Sequence, residues 1–566
     1  MKNKKYIVVG GVAGGASAAA RIRRLNENAE ILILDKGPNI SFSNCCLPNY
    51  FSGEINSIDN LVLFEPAGFK KMFNLEAKVN QEVIKIEADK HKVIVKDLTN
   101  RNVYEESYDY LILSPGAHAI KPTNIKGIDG ENVFVVKNVA DVRKIDAFAK
   151  SNNVTDIVVV GGGFIGVETA ECFKKAGKNV TLVEAQDQIM CTFDYDFVQM
   201  LHKELYDNGI NLILSDCVVE IDKDKVVLSS GREVKATMVI MAIGVKPDIK
   251  MAVDSGIEVG ETGGIKVDAK FRTNLPDVYA VGDAIEVHNS ITKKKTRLPL
   301  AGPAQRQARM AADGIFGRTV NNRGVIGSSA IRVFNLNAAV TGLNEEACKK
   351  AGIDYMTAYI LPFDKVKLLP NPSVLHFKLI FENPTGRILG AQAIGKGNAT
   401  KRIDVIATMI TMGGYLEDLK ELELCYAPPF GTAKDVVNVA AMVGLNLLNG
   451  EYKQVPMTKI TELVENGEYI IDARERDAYQ ASHVKGSINI PLSEIRQRHN
   501  EIPRDRTVYI HCRTSWYSYY SIRALQGYGI NNVVNIQGSF LGFSNYLYFN
   551  DKTTGRESIL TGYNFN

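Results

Sequence analysis

Short runs in which every position is apolar mark the first part of the chain: residues 6–9 and 31–34, with a glycine cluster and an alanine-rich stretch between them. A run of that length without polar alternation fits a strand buried on both faces. Residues 5–36 therefore predict strand, glycine turn, helix and second strand. The same succession returns at 155–184. Over 326–448 the pattern changes to alternating strands, such as 374–381, mixed with helix-like segments. The stretch NGEYKQVPM, 449–457, reads as a linker to a last region, 458–566.

The two glycine turns carry candidate chemistry. In the first, Gly10 permits a tight turn and Gly15 lets helix and strand pack closely. Val12 stands at the usual middle glycine, so close approach to a pyrophosphate falls to Gly11 or Gly14. N–H groups at the helix start are offered to phosphate. Asp35 closes the second strand, where a carboxylate accepts hydrogen bonds from a ribose. In the repeat, Gly161, Gly163 and Gly166 complete GxGxxG, and Glu184 closes the strand. An acid at that point accepts from both ribose hydroxyls and repels a 2′-phosphate, so NADH is expected rather than NADPH. One such turn also arises for packing reasons alone. Two, each with a terminal acid, imply two dinucleotides and electron transfer between nicotinamide and a flavin.

Composition changes this picture little. A chain of 566 residues predicts about three or four domains. A net charge of +3 gives no strong pull toward nucleic acid or membrane. The stretch 436–448 is too short to span a bilayer. Lys2, Lys4 and Lys5 before a small-residue run ending in Ala18, Ala19 and Ala20 superficially suggest a signal peptide. Glycines interrupt that run, and cleavage would destroy the turn. The eight cysteines form no CxxC pair, so no metal site is expected, and a reduced, cytoplasmic setting fits.

Further stretches carry a resemblance: YDYLILSPGA (108–117), MVIMAIGVKPD (238–248) and TNLPDVYAVGDAIE (273–286). Over roughly residues 1–450 the chain resembles the pyridine nucleotide-disulfide reductases. The resemblance implies an α/β protein with two Rossmann-like domains, FAD-binding at 1–112 and 274–325 and NAD-binding at 113–273. It also implies an α+β dimerisation domain at 326–448 and a homodimer with shared active sites. Asp283 matches the aspartate on the flavin ribityl chain, and Lys36 and Ser114 join the cofactor contacts.

The redox centre resembles one branch of that family. A CxxxxC pair is missing, whereas ISFSNCCLPNYFSG, 40–53, is similar to the coenzyme A-disulfide reductase branch, whose single cysteine falls on Cys45. Asn44 is expected to cap a helix starting near Cys45, with Pro48 at an early position, and free N–H groups there would lower the thiol pKa. Cys46 departs from the branch and reads either as a small filler or as a resolving or sulfur-carrying thiol. NADH oxidases and peroxidases typically carry histidine where this chain has Ala13. Ser17, Arg21, Arg24, Ser41 and Asn44 match CoA contacts. Tyr426 and Lys434, in CYAPPFGTAKD (425–435), match a tyrosine that reaches the partner's flavin and a lysine that contacts CoA. A second family tyrosine is missing, replaced by Leu368 and Leu369.

Residues 458–566 resemble a rhodanese domain. YIIDARERDAYQASHVKGSINIP carries Asp472, Arg474, His483 and Gly486, and VYIHCRTSWYS carries the sulfur-binding cysteine, Cys512. A loop of successive N–H groups stabilises thiolate and persulfide there. Ser515 stands where glycine is common, and Trp516 and Tyr517 replace a polar-basic end. Together these resemblances imply a FAD-dependent NADH:CoA-persulfide or polysulfide reductase with a sulfur-delivering rhodanese domain. Coenzyme A-disulfide reductase and NADH oxidase are the alternatives.

Overall fold

The computed structural model describes residues 4–565; Lys2, weighed above as part of a leader, lies outside them. The chain divides into two compact units, one running to Asp187 and resuming over Ile213–Val325, the other combining Gln188–Leu212 with the chain from Ile326 on.

The first unit holds two parallel sheets. One orders Val278–Ala280, Tyr110–Leu113, Lys5–Val9, Glu30–Leu34 and Glu76–Lys78. Its central residues Ile7, Val8, Ile33, Leu111 and Ile112 are fully buried, which is why those strands read as unbroken apolar runs. Helix Ala13–Leu25 packs on helix Ala301–Ile315, so a segment almost 300 residues downstream completes the layer. The other sheet repeats the plan with Asn179–Val183, Asp156–Val160, Met238–Met241 and Val133–Val135 in that order.

The second unit joins an antiparallel and a parallel sheet. The antiparallel one orders Ser329–Val333, Leu336–Gly342, Ile388–Gly395, His376–Glu382 and Tyr355–Ile360. The parallel one orders Lys453–Val455, Val533–Ile536, Val508–His511, Tyr469–Asp472 and Ile488–Asn489. Two sequence expectations change here. The linker 449–457 supplies the edge strand Lys453–Val455 and buries Tyr452 in the core of the parallel sheet. Residues 188–212, counted above within the NAD span, cluster with the second unit. Helix Tyr195–Asp207 packs on helix Ser539–Thr554, and the wholly buried Lys378 ammonium donates to Asp194, Asp196 and Glu345 at 3.1, 2.6 and 2.8 Å. An alternation-based reading misses such a tie, because a lysine inside a strand reads as a solvent-facing position. No helix of the described residues is long and apolar enough to cross a membrane.

Candidate active site

The first glycine turn is fixed by sterics. Gly10 has φ +94°, and a Cβ there would come within 2.1 Å of the Ser114 carbonyl oxygen. A Cβ on Gly15 would lie 1.7 Å from the Gly10 carbonyl oxygen, which forces close strand–helix packing. Asp35 accepts from the Gly11 and Gly37 N–H groups, both at 2.7 Å, and so pins the turn to the end of the second strand. Burial pushes the Asp35 carboxyl up, and those two N–H groups act against it. The same clamp recurs in the second turn, where Glu184 accepts from Gly162 N at 2.6 Å and Gln186 N at 2.8 Å. Gly161 and Gly166 are packed as tightly as their counterparts, whereas a Cβ on Gly163 would meet no protein atom within 4 Å. Protein packing does not require that middle glycine, and a closely approaching ligand does.

A cavity of about 190 Å³ opens on the first turn, lined by Gly10, Gly11, Asp35, Lys36, Ser114 and Asp283, with Lys137 and Asn44. Helix Ala13–Leu25 starts there without a side-chain cap, which leaves its first N–H groups for an anion. Asp283 lies 3.8 Å from the Lys137 ammonium; burial raises its pKa and Lys137 lowers it. Lys36, also on this wall, ion-pairs with Asp248.

A second cavity of about 520 Å³ holds Ser17, Arg24, Ser41, Asn44 and Cys45 together. Val12, Ala13, Phe42 and Asn44 line both cavities, so the pocket into which Cys45 opens, which has a cationic side, adjoins the nucleotide-type turn. Arg21 does not join it: its guanidinium donates to Asp313 at 2.6 and 2.8 Å, although it lies three residues from Arg24. Arg309 and Gln305, from the distant helix Ala301–Ile315, line the pocket instead.

The expected cap at Cys45 is corrected. Asn44–Cys46 form a 3₁₀ turn, the helix is only Leu47–Phe51, and no side chain caps either start. Pro48 does occupy the first turn. The expected lowering of the thiol pKa does not follow either. Cys45 is exposed, yet partial desolvation, then the charges of Glu168, Cys46 and Asp283, push its thiol up, against Lys137. Glu168 itself is pushed up to about 7 by burial and by Glu171.

In the second unit, Tyr426 is half-exposed and Lys434 is exposed. The buried Arg402 holds their loop by donating to the Phe430 carbonyl at 3.2 Å, the Asp435 carboxylate at 3.2 Å and the Asp364 carbonyl at 3.1 Å. Leu368, in place of a tyrosine, is 94% exposed. Cys512 follows strand Val508–His511 and is buried. Behind its loop the Arg474 guanidinium donates to Asp472 and to the Ser482 carbonyl and lies 3.9 Å over the Phe540 ring.

Residues 4–308 match the pyridine nucleotide-disulphide oxidoreductase family. The chain belongs to that family. Residues 328–436 match the dimerisation domain of pyridine nucleotide-disulphide oxidoreductases, and 457–546 match the rhodanese-like domain. A coenzyme A disulfide reductase of Staphylococcus aureus (strain JH9) is 32% identical over 436 residues, 77% of this chain and 98% of that protein. The crystal structure of reduced Bacillus anthracis CoADR-RHD aligns with a TM-score of 0.93 at 40% identity, over 97% of this chain and 99% of that one. A NAD-dependent persulfide reductase from A. fulgidus aligns with a TM-score of 0.89 at 33% identity, over 95% and 99%. Membership brings FAD and NAD(P)H, and the first turn fits such a group: uncapped N–H donors, a half-buried acid at the strand end and a second near Lys137. Lys137, Glu168, Gln305 and Arg309 were not anticipated from sequence. Glu168 had a signal, an acid two residues after Gly166 in the first turns of the helix; the others carry none.

Proposed function

We propose that this oxidoreductase is a FAD-dependent NADH:CoA-persulfide or polysulfide reductase that releases sulfide, with Cys512 delivering the sulfane sulfur. The observation that carries the reading is the shared wall: Cys45 opens into a pocket with Ser17, Arg24, Ser41 and Asn44, and that pocket adjoins the first glycine turn. The names of the coenzyme A disulfide reductase and persulfide reductase relatives support it.

FAD, when bound, supplies two-electron transfer from nicotinamide to sulfur. Gly10, Gly11, Asp35, Lys36, Ser114 and Asp283 would hold it. Gly161, Gly163, Gly166 and Glu184 would hold the nicotinamide dinucleotide, and Glu184 favours NADH by repelling a 2′-phosphate. Arg24 and Arg309 present positive charge to the phosphates of CoA, while Ser17, Ser41 and Asn44 offer hydrogen bonds. Arg21 has no place there while Asp313 occupies it. The Cys45 sulfur attacks the persulfide as its thiol proton passes to the departing group; the new S–S bond forms as the old one breaks, and either CoA thiol or hydrogen sulfide leaves, according to which sulfur it meets. Burial and Glu171 raise the Glu168 carboxyl to about 7, so a group able to hold a proton is among those that act on Cys45. Tyr426 and Lys434 complete the site from the partner subunit of a homodimer, and the enzyme works in the cytoplasm.

Coenzyme A disulfide reduction is the second reading, favoured by the S. aureus relatives. Exposed Leu368 in place of a tyrosine leaves one hydrogen-bond donor fewer for a departing thiolate, whereas sulfide from a persulfide needs less help. The kcat/KM for CoA persulfide is therefore expected to exceed that for CoA disulfide by at least tenfold under anaerobic NADH oxidation. A ratio at or below one assigns disulfide reduction instead.

A further inference from the structure

Two serines at Cys512 hold a backbone conformation that L residues rarely adopt: Ser515, in the Cys512 loop, with φ +70°, and Ser539, at the start of the neighbouring helix Ser539–Thr554, with φ +52°. Glycine occupies such positions without strain, whereas a non-glycine residue there has to be held by its surroundings. Ser515 stands at the N-cap of helix Trp516–Gly527, the place where serine usually accepts from a helix N–H, yet it makes no such bond. Its hydroxyl lies instead 2.9 Å from the Ser539 hydroxyl. Ser539 is fully buried and accepts the Cys512 N–H at 3.2 Å. The first N–H of the loop is thus spent on Ser539 and not on sulfur.

The direction of this chain follows from satisfaction of the buried groups. With its oxygen accepting from Cys512 N, the Ser539 O–H needs an acceptor, and Ser515 Oγ is the one at hand. That leaves the Ser515 O–H as a donor at the partly exposed mouth of the loop. The Ser518 hydroxyl, fully buried, spans the Ser515 carbonyl at 3.1 Å and Asn535 Oδ1 at 2.7 Å, which braces the strained residue.

We propose that the Ser515 hydroxyl, oriented by Ser539, donates a hydrogen bond to the outer sulfur of a Cys512 persulfide and so holds that sulfur until an acceptor arrives. The proposal rests on Cys512 being the sulfur carrier. In the loading step the Cys512 thiolate attacks a terminal sulfur of a polysulfide dianion. One S–S bond forms, the donor S–S bond breaks, and its electron pair leaves with a polysulfide one sulfur shorter. The outer persulfide sulfur carries the negative charge that the hydroxyl meets. Cyanide then takes this sulfur as thiocyanate and regenerates the thiolate, with no flavin or nicotinamide involved.

The test uses the full-length flavoprotein with sodium tetrasulfide as donor. Mass spectrometry follows the added sulfur on Cys512, and thiocyanate formation follows its transfer to cyanide. Ser515→Ala keeps the strained backbone and removes the hydroxyl, while Ser515→Gly removes both, so folding is preserved or improved in the latter. Both are expected to shorten the lifetime of the persulfide about tenfold, as loss of a hydrogen bond to a charged group implies. Ser539→Gly, which leaves the Ser515 hydroxyl in place but unoriented, is expected to fall between them and the parent. NADH oxidation with preformed CoA persulfide stays unchanged in all three. A Ser515→Gly persulfide as long-lived as the parent's overturns the proposal. A parent enzyme whose Cys512 takes up no sulfur overturns the carrier assignment itself.

Discussion

At the exposed Cys45 the protein's own groups disfavour the charged form, since partial desolvation and the charges of Glu168, Cys46 and Asp283 outweigh Lys137. The sequence motif pointed to this sulfur, but apart from the adjacent Cys46 the charges acting on it come from Lys137, Glu168 and Asp283, far along the chain, which no local pattern announces. Buried histidines in the second unit show the same dependence on tertiary contacts. His202 accepts from Ile189 N through Nε2 at 3.2 Å and faces Gln199 Oε1 through Nδ1 at 3.1 Å, which fits a neutral ring protonated on Nδ1. Burial depresses both His202 and His376 to about 3 from the ordinary 6.5. The unfolded chain therefore binds protons near pH 6.5 that the folded chain refuses until about pH 3. Stability is present above that window and falls as pH drops through 6.5, by up to about 1.4 kcal/mol per pH unit for each ring. Urea unfolding at pH 7, 6 and 5 is expected to show a falling midpoint, with a shallower fall in His202→Gln. A midpoint that does not move contradicts the buried neutral assignment.

At the scale of elements, the glycine turns were the most legible part of the chain, because their geometry is set by contacts within some thirty residues. Strand, turn and helix all fall where the apolar runs predict them. Gly15→Ala would place a methyl carbon 1.7 Å from the Gly10 carbonyl oxygen, which no side-chain adjustment relieves. The variant is expected to purify with less than a tenth of the parent's bound flavin per chain, read from visible absorbance, and a full flavin complement would show that the turn tolerates what its geometry forbids. Two elements were not legible. The helix after Cys45 starts two residues later than Asn44 suggested, because residues 44–46 close a 3₁₀ turn first. The supposed linker is a strand because Tyr452 has a core to enter, which a three-residue edge strand does not reveal in sequence.

At the scale of the molecule, the order of modules was readable because each has its own signature: two glycine turns, a change to alternating strands, and a cysteine loop after a buried strand. The grouping of residues 188–212 with the second unit was not, since it depends on Lys378 finding three carboxylates. Each unit carries one cysteine with a proposed task, Cys45 as electron relay and Cys512 as carrier. The tasks separate by substrate: preformed CoA persulfide needs only Cys45, whereas polysulfide with catalytic CoA needs both. Anaerobic NADH oxidation with preformed CoA persulfide in Cys45→Ser tests this most directly. Turnover is expected to fall at least a thousandfold while Cys512→Ser retains it, and a Cys45→Ser enzyme that oxidises NADH at the parent rate would contradict the relay at Cys45.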